Sequence, residues 1–154
     1  EPDPAMTKQI AGLMDGLGPV FVVVLFVAVV PAIAEELLFR GLVLQAFRGM
    51  LRVRGAVIVS AVLFGAFHMS LHRFFPQAVL GALLAILVVR TGSLWPAVLA
   101  HAVHNGILVV WDRCSDAPEV DIPLPYLLGS LAVGLTLVGL GLVASRSTRA
   151  EPAP

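Results

Sequence analysis

Two adjacent carboxylates and an arginine, Glu35, Glu36 and Arg40, stand in the most apolar part of this 154-residue chain, directly behind Val20 to Ile33, which carries no charge. Further along, His68, His101 and Asn105 interrupt equally apolar stretches. Ionisable groups are costly in such surroundings, so they point to a functional site whose members must meet one another. The residue types suggest the reaction. A carboxylate held partly out of water suits a general base that activates a water molecule. His68 can hold the same water or orient the base, while His101 and Asn105 can donate hydrogen bonds to the oxyanion of a tetrahedral intermediate. Together these groups imply hydrolysis of an amide.

Spacing divides the labour among them. Glu36 and Arg40 are four residues apart, share a helical face and can pair, which lowers the cost of burying both charges. Glu35 is rotated by about 100° from Glu36 on a helix and is left free to act. Glu35 is therefore the expected base, with Glu36 and Arg40 in support. His101 and Asn105 are again four apart and project together, whereas His104 is rotated off that line and reads as incidental, as does His72. Phe64 lies one turn before His68 and is placed to wall its ring. The chemical rival is a metal centre, since Glu35, His68 and His101 are a two-histidine, one-carboxylate set of the catalytic zinc kind. No His-Glu-x-x-His segment puts two histidines on one helical turn. The favoured reading uses no cofactor, with a divalent metal such as zinc as its alternative.

The elements that must position these groups follow from composition. The chain is 58% hydrophobic and 13% charged with a mean hydropathy of +0.95, whereas a soluble domain is about 45–50% apolar and about 25% charged. Apolar stretches recur at Val20–Ile33, Ala56–Phe67, Ala78–Val89, Leu94–Val110 and Leu124–Ala144, each near the roughly 20 residues that cross a bilayer. The expected fold is all-α, a multi-spanning transmembrane bundle of about five helices with a polar site mid-membrane.

In order, 1–19 reads as a polar or interfacial N-terminal segment, with a short helix over Gln9 to Leu17. Residues 20–111 form a catalytic core of four membrane helices, 112–123 an acidic outer loop, 124–145 a fifth membrane helix and 146–154 a polar tail. Within the core the expected helices are Val20–Phe47, kinked by Pro31, then Ala56–Met69, Gln77–Arg90 and Leu94–Trp111. His72 to Pro76 is expected as an outer turn, and Pro96 falls in a first helical turn, where proline costs little. The fifth helix, with Gly129, Gly134, Gly139 and Gly141 and no ionisable side chain, reads as a packing helix.

Depth ties the polar groups together. Glu35 lies thirteen residues from Arg48, His68 fourteen from Arg54, and His101 and Asn105 nine and thirteen from Gly92. At about 1.5 Å per residue, all four are roughly 14–21 Å in, sharing one layer. The loop with Arg48, Arg52 and Arg54 marks a cytoplasmic end, which by alternation leaves the N-terminus outside and the C-terminus in the cytoplasm. A net charge of zero argues against nucleic acid. A single cysteine, Cys114, allows no intrachain disulfide and no thiolate cage. No signal-peptide pattern is present, and a start without methionine is what a piece of a longer chain would show.

Glu35-Glu36-x-x-x-Arg40, Phe64-x-x-x-His68 and His101-x-x-x-Asn105, in that order on successive apolar helices, resemble the three motifs of the CPBP family, the CAAX-protease and bacteriocin-processing (Abi) intramembrane proteases. The resemblance covers roughly Val20 to Val110 and departs from the pattern at no motif position. It implies an all-helical membrane endopeptidase, expected in a bacterial inner membrane, in which Glu35 and His68 activate water and His101 and Asn105 stabilise the oxyanion. Glu36 and Arg40 would support the site. The family is described both as metalloproteases and as glutamate proteases, so the metal stays open.

The implied partners are membrane lipid and a membrane-embedded peptide or protein substrate. The segment from Arg73 to Pro96 further resembles domains fused behind permease subunits of bacterial ABC exporters, so a fused or associated permease is a further expected partner. The alternative from another class is a non-catalytic scaffolding or peptide-binding module. An ion pathway is disfavoured because no internal repeat is evident.

Overall fold

A computed structural model of the chain describes Ala5, Gly12 and residues 18–114, with side chains followed as far as Trp111. Among the described residues the fold is all-α. Four helices follow one another: α1 (Val20–Met50), α2 (Val53–Phe67), α3 (Leu71–Thr91) and α4 (Trp95–Cys114). The expected fifth helix, the N-terminal helix over Gln9 to Leu17 and the outer loop beyond Cys114 lie outside the described residues. Asp112 to Cys114, read from the sequence as the start of that loop, belong to α4.

α1 is one continuous helical rod containing two π-helical stretches, Val24–Val29 and Leu37–Val43. The first ends two residues before Pro31, which sits in the first turn of the following α-helical stretch. A proline has no N–H to donate and its ring crowds the carbonyl one turn back. The wider π turn relieves both, so the expected kink takes the form of a local change in winding. The second π stretch begins right after Glu36 and carries Arg40, and Gln45 Nε2 reaches back to the Arg40 carbonyl oxygen at 3.0 Å.

Two boundaries differ from those read in the sequence. The arginine-rich loop of Arg48 to Gly55 shrinks to Leu51 and Arg52, because α1 runs on to Met50 and α2 already starts at Val53. The supposed outer turn of His72 to Pro76 is helical and opens α3. The Ser70 side chain caps this start, accepting from the Arg73 N–H at 3.4 Å, and so satisfies one of the donors a new helix leaves bare. Pro76 is tolerated close to that start, where it forfeits one backbone bond. At the other end, Gly92 takes a left-handed conformation (φ 70°) that closes α3 and leads into α4.

α2 and α3 form a tight antiparallel hairpin, and two glycines make it possible. A Cβ on Gly65 would stand 2.7 Å from the Phe74 carbonyl oxygen, and one on Gly81 would stand 3.1 Å from Phe64 Cδ1 and 3.2 Å from Ala61 Cα. Small residues let helices in an apolar solvent approach to backbone contact. α4 packs along α1 as far as Glu36, the end of α1 leans on α2, and α3 closes against α4. Phe39, Leu44, Phe64, Leu84, Leu87 and Ala97 are buried between them.

The outside of the bundle is apolar. Phe21, Leu71 and Phe75 are 70%, 92% and 74% exposed, which suits lipid as the surrounding solvent. α1 has 31 residues and α3 has 21, enough to cross a bilayer. α2, with 15 residues, reaches only about 22 Å. It ends at Phe67, short of the Met69 expected from the sequence, and Met69 itself turns left-handed (φ 47°).

Candidate active site

One carboxylate oxygen organises the interior. Glu36 Oε1 accepts from Arg40 Nη1 at 2.5 Å and from His101 Nδ1 at 2.8 Å. Arg40 Nη2 donates to the Gly81 carbonyl oxygen at 3.0 Å, and the guanidinium carbon lies 4.5 Å from the centre of the Phe64 ring. Glu36 and Arg40 come from α1, Phe64 from α2, Gly81 from α3 and His101 from α4, so all four helices meet around the Glu36–Arg40 pair. Glu36 and Arg40 are fully buried and His101 is 1% exposed. A buried ion pair repays its desolvation only with good geometry and extra hydrogen bonds. Here His101 and the Gly81 carbonyl supply hydrogen bonds and the Phe64 ring a cation–π contact, while Glu36 Oε2 and Arg40 Nε stay buried without a hydrogen-bond partner.

Glu36 and Arg40 pair as their spacing predicts. His101 stands between the two carboxylates, and its hydrogen bond goes to Glu36. Its other nitrogen, Nε2, lies 3.8 Å from Glu35 Oε2, too far for a direct hydrogen bond. The Glu35 side chain keeps 20% of its surface exposed, yet its Oε2 is buried without a hydrogen-bond partner. The two neighbouring carboxylates thus occupy different settings, one clamped and one free.

His68 caps the end of α2, half-buried, with its Nδ1 3.0 Å from the Phe64 carbonyl oxygen of the preceding turn. The Phe64 ring stands edge-on to both histidines, with centroids 5.0 Å from His68 and 5.6 Å from His101. Phe64 therefore walls His68 as expected and packs against His101 as well. Asn105 lies one turn beyond His101 on α4 and is half-buried. His104 is half-buried too, with a buried Nδ1 that has no hydrogen-bond partner. Reasoning from the sequence missed the part of Gly81, whose carbonyl anchors the arginine. Its only signal was a glycine inside an apolar helix.

Beside this cluster, between the first half of α1 and the second half of α4, opens an apolar cleft of about 650 Å³. Val24, Val29, Leu99, Val103, Gly106 and Val110 are among its walls. The helices that bear Glu35 and His101 therefore also form a greasy trough next to them. Among the described residues, no three His, Cys, Asp or Glu side chains are grouped to hold a metal ion. Glu35, His68 and His101 do not form such a group.

Known proteins give the arrangement its context. No solved structure matches the chain. A Bacillus subtilis (strain 168) protein named "Putative membrane peptidase YdiL" is 26% identical over 104 residues, covering 68% of this chain and 43% of that protein. The chain thus spans less than half the length of the curated relative it matches. Residues 17–107 match the family described as "Type II CAAX prenyl endopeptidase Rce1-like", a match that takes in the three motifs and the four described helices up to the middle of α4. The chain is an integral membrane protein and belongs to the Rce1-like CAAX endopeptidase family, in agreement with the resemblance read from its motifs.

Proposed function

We propose that the chain carries the catalytic core of an intramembrane endopeptidase that cleaves a peptide bond of a membrane-associated protein or peptide. The observation that carries this reading is the setting of Glu35. Its Oε2 has no hydrogen-bond partner, lies 3.8 Å from His101 Nε2 and sits on a side chain that remains partly exposed. Glu35 takes a proton from water as the oxygen adds to the scissile carbonyl carbon. His68, His101 and Asn105 supply the hydrogen bonds that hold the water and the oxyanion. Collapse of the tetrahedral adduct breaks the C–N bond, and the proton on Glu35 passes to the leaving amine.

The substrate enters sideways from the bilayer, its apolar part along the cleft between α1 and α4. The α1–α2 and α3–α4 turns, flanked by Arg48, Arg52, Arg54 and Arg90, face the cytoplasm. The test is cleavage in liposomes of a membrane-tethered peptide library, including peptides with a prenylated cysteine near the C-terminus, read by mass spectrometry. Wild type yields products and Glu35→Gln yields none. Turnover retained in Glu35→Gln would sink the assignment, and binding without turnover by wild type would favour a scaffolding module.

A further inference from the structure

α1 changes its winding at the reaction centre, and the change leaves one backbone oxygen that the helix itself does not serve. The π stretch Leu37–Val43 begins directly after Glu36 and carries Arg40. At its end the Leu44 N–H bonds five residues back, to the Phe39 carbonyl, and α winding, which bonds four back, resumes from Leu44. The count therefore steps over one carbonyl, that of Arg40. A carbonyl without a donor is costly in an apolar solvent. Gln45 supplies the donor: its Nε2 lies 3.0 Å from the Arg40 oxygen, while its Oε1 accepts from Arg48 Nη1 at 3.0 Å. An arginine side chain only donates and a carbonyl only accepts, so the two contacts fix the amide in one orientation. From α2, the Ser60 hydroxyl, 1% exposed, donates to the Phe39 carbonyl at 3.2 Å. The acceptor of the last π bond is thereby tied to a neighbouring helix.

We propose that Gln45 and Ser60 are positioning residues: they hold the π turn in α1, and the turn sets the angle at which Glu35 and Glu36 meet His101. This rests on the endopeptidase reading of the site. The two carboxylates lie before the turn, on the part of α1 that packs against α4, and Leu44 to Met50 lie after it, on the part that packs against α2. If the turn relaxed to α winding, the Leu44 N–H would move from the Phe39 carbonyl to that of Arg40. The two parts of α1 would then twist against each other by one residue's step, roughly 100° and 1.5 Å. A twist of that size carries the carboxylates off His101 or pulls α1 off α2. Gln45 removes the drive to relax by serving the skipped oxygen, and Ser60 anchors the oxygen that the π bond uses. Turns of this kind recur at functional sites.

The test compares the full chain in nanodiscs with two variants, using whichever membrane-tethered peptide wild type cleaves. Gln45→Glu keeps the length of the side chain and its contact with Arg48 but has no N–H to donate. It should lower kcat about 10–100-fold, as a misplacement of about 1 Å does, with KM changed less than about twofold because substrate contacts are kept. Ser60→Ala, which loses one interhelical hydrogen bond, should lower kcat about 2–10-fold. A reading independent of turnover comes from ring 15N-histidine labelling. The His101 signals, identified by their loss in His101→Asn, report its hydrogen bond to Glu36. Both variants should shift those signals, although Gln45 and Ser60 act on the backbone of α1 at Arg40 and Phe39.

His101 signals that stay in place in both variants would overturn the proposal. So would an unchanged kcat in both, including the case in which only KM rises, since the two residues would then be substrate contacts. If Gln45→Glu does not fold, Ser60→Ala decides by the same readings. A wild type that cleaves no peptide would count against the endopeptidase reading, while the histidine signals would still decide whether the turn positions the clamp.

Discussion

The two ends of the α1–α4 contact are built on opposite plans. Around Glu36, α1 and α4 are joined by charge and hydrogen bonds, every partner is buried, and two further helices brace the cluster. Toward Val24 and Val110, the same two helices stay packed against each other through apolar side chains, and a shallow apolar cleft runs along their seam. In a bilayer, apolar side chains gain little by touching one another rather than lipid, so helix contacts rely on close packing and polar bonds. Around Glu36 polar bonds add to the packing, and toward Val24 the seam rests on packing alone. The difference sets a buried polar cluster beside a shallow apolar trough, the arrangement on which the proposed endopeptidase function rests.

The widest separation between the two plans should come from Glu35→Gln, which touches neither the clamp nor the cleft. Loss of the general base is expected to cut turnover by about 10²–10⁴-fold, while the thermal midpoint stays within a degree or two of wild type. A large fall in that midpoint would show that Glu35 belongs to the clamp. Arg40→Met attacks the clamp itself, leaving Glu36 buried without its cation. A cost of about 3–5 kcal/mol is expected, measured by unfolding in mixed micelles, and a change below 1 kcal/mol would contradict the central place given to this pair.

A matched pair of glycine substitutions then sharpens the contrast in packing. At Gly65 a new Cβ meets the Phe74 carbonyl at 2.7 Å and Ala78 Cβ at 3.0 Å, so Gly65→Ala should destabilise by about 1–3 kcal/mol despite its better helix propensity. At Gly106, on the cleft, the nearest atom to a new Cβ is Val24 Cγ1 at an ordinary 3.9 Å. Gly106→Ala should therefore be neutral or stabilise by up to about 1 kcal/mol. The same urea or SDS titration reads both, and two shifts of the same sign would erase the distinction between a packed and an open region.

Much of the site was legible in the residues. The four-residue step from Glu36 to Arg40 predicts their pairing because helical geometry alone brings such side chains together. Phe64 against His68 follows in the same way. Long-range partners were a different matter. Whether His101 meets Glu35 or its neighbour depends on how α4 is rotated about its own axis, which spacing within α4 does not constrain. The windings of α1 at Val24–Val29 and Leu37–Val43 further change which residues share a face, beyond the reach of a fixed helical period. Boundaries failed where local chemistry competed with hydropathy. Ser70 starts a helix in a polar stretch that resembled a turn, and two residues suffice where an eight-residue arginine loop was expected.

The sequence by itself determined the solvent, the class of fold and the family. Those depend on apolar content and on motifs within single helices, and every residue carries them wherever its neighbours lie. Tertiary packing alone set that Glu36 also binds His101, that a Gly81 carbonyl and a Phe64 ring brace Arg40, and that a bare Glu35 oxygen faces Nε2 of His101. Each of those facts joins residues far apart in the chain, and their meeting is set by helix rotation and by two glycines that let α2 and α3 touch.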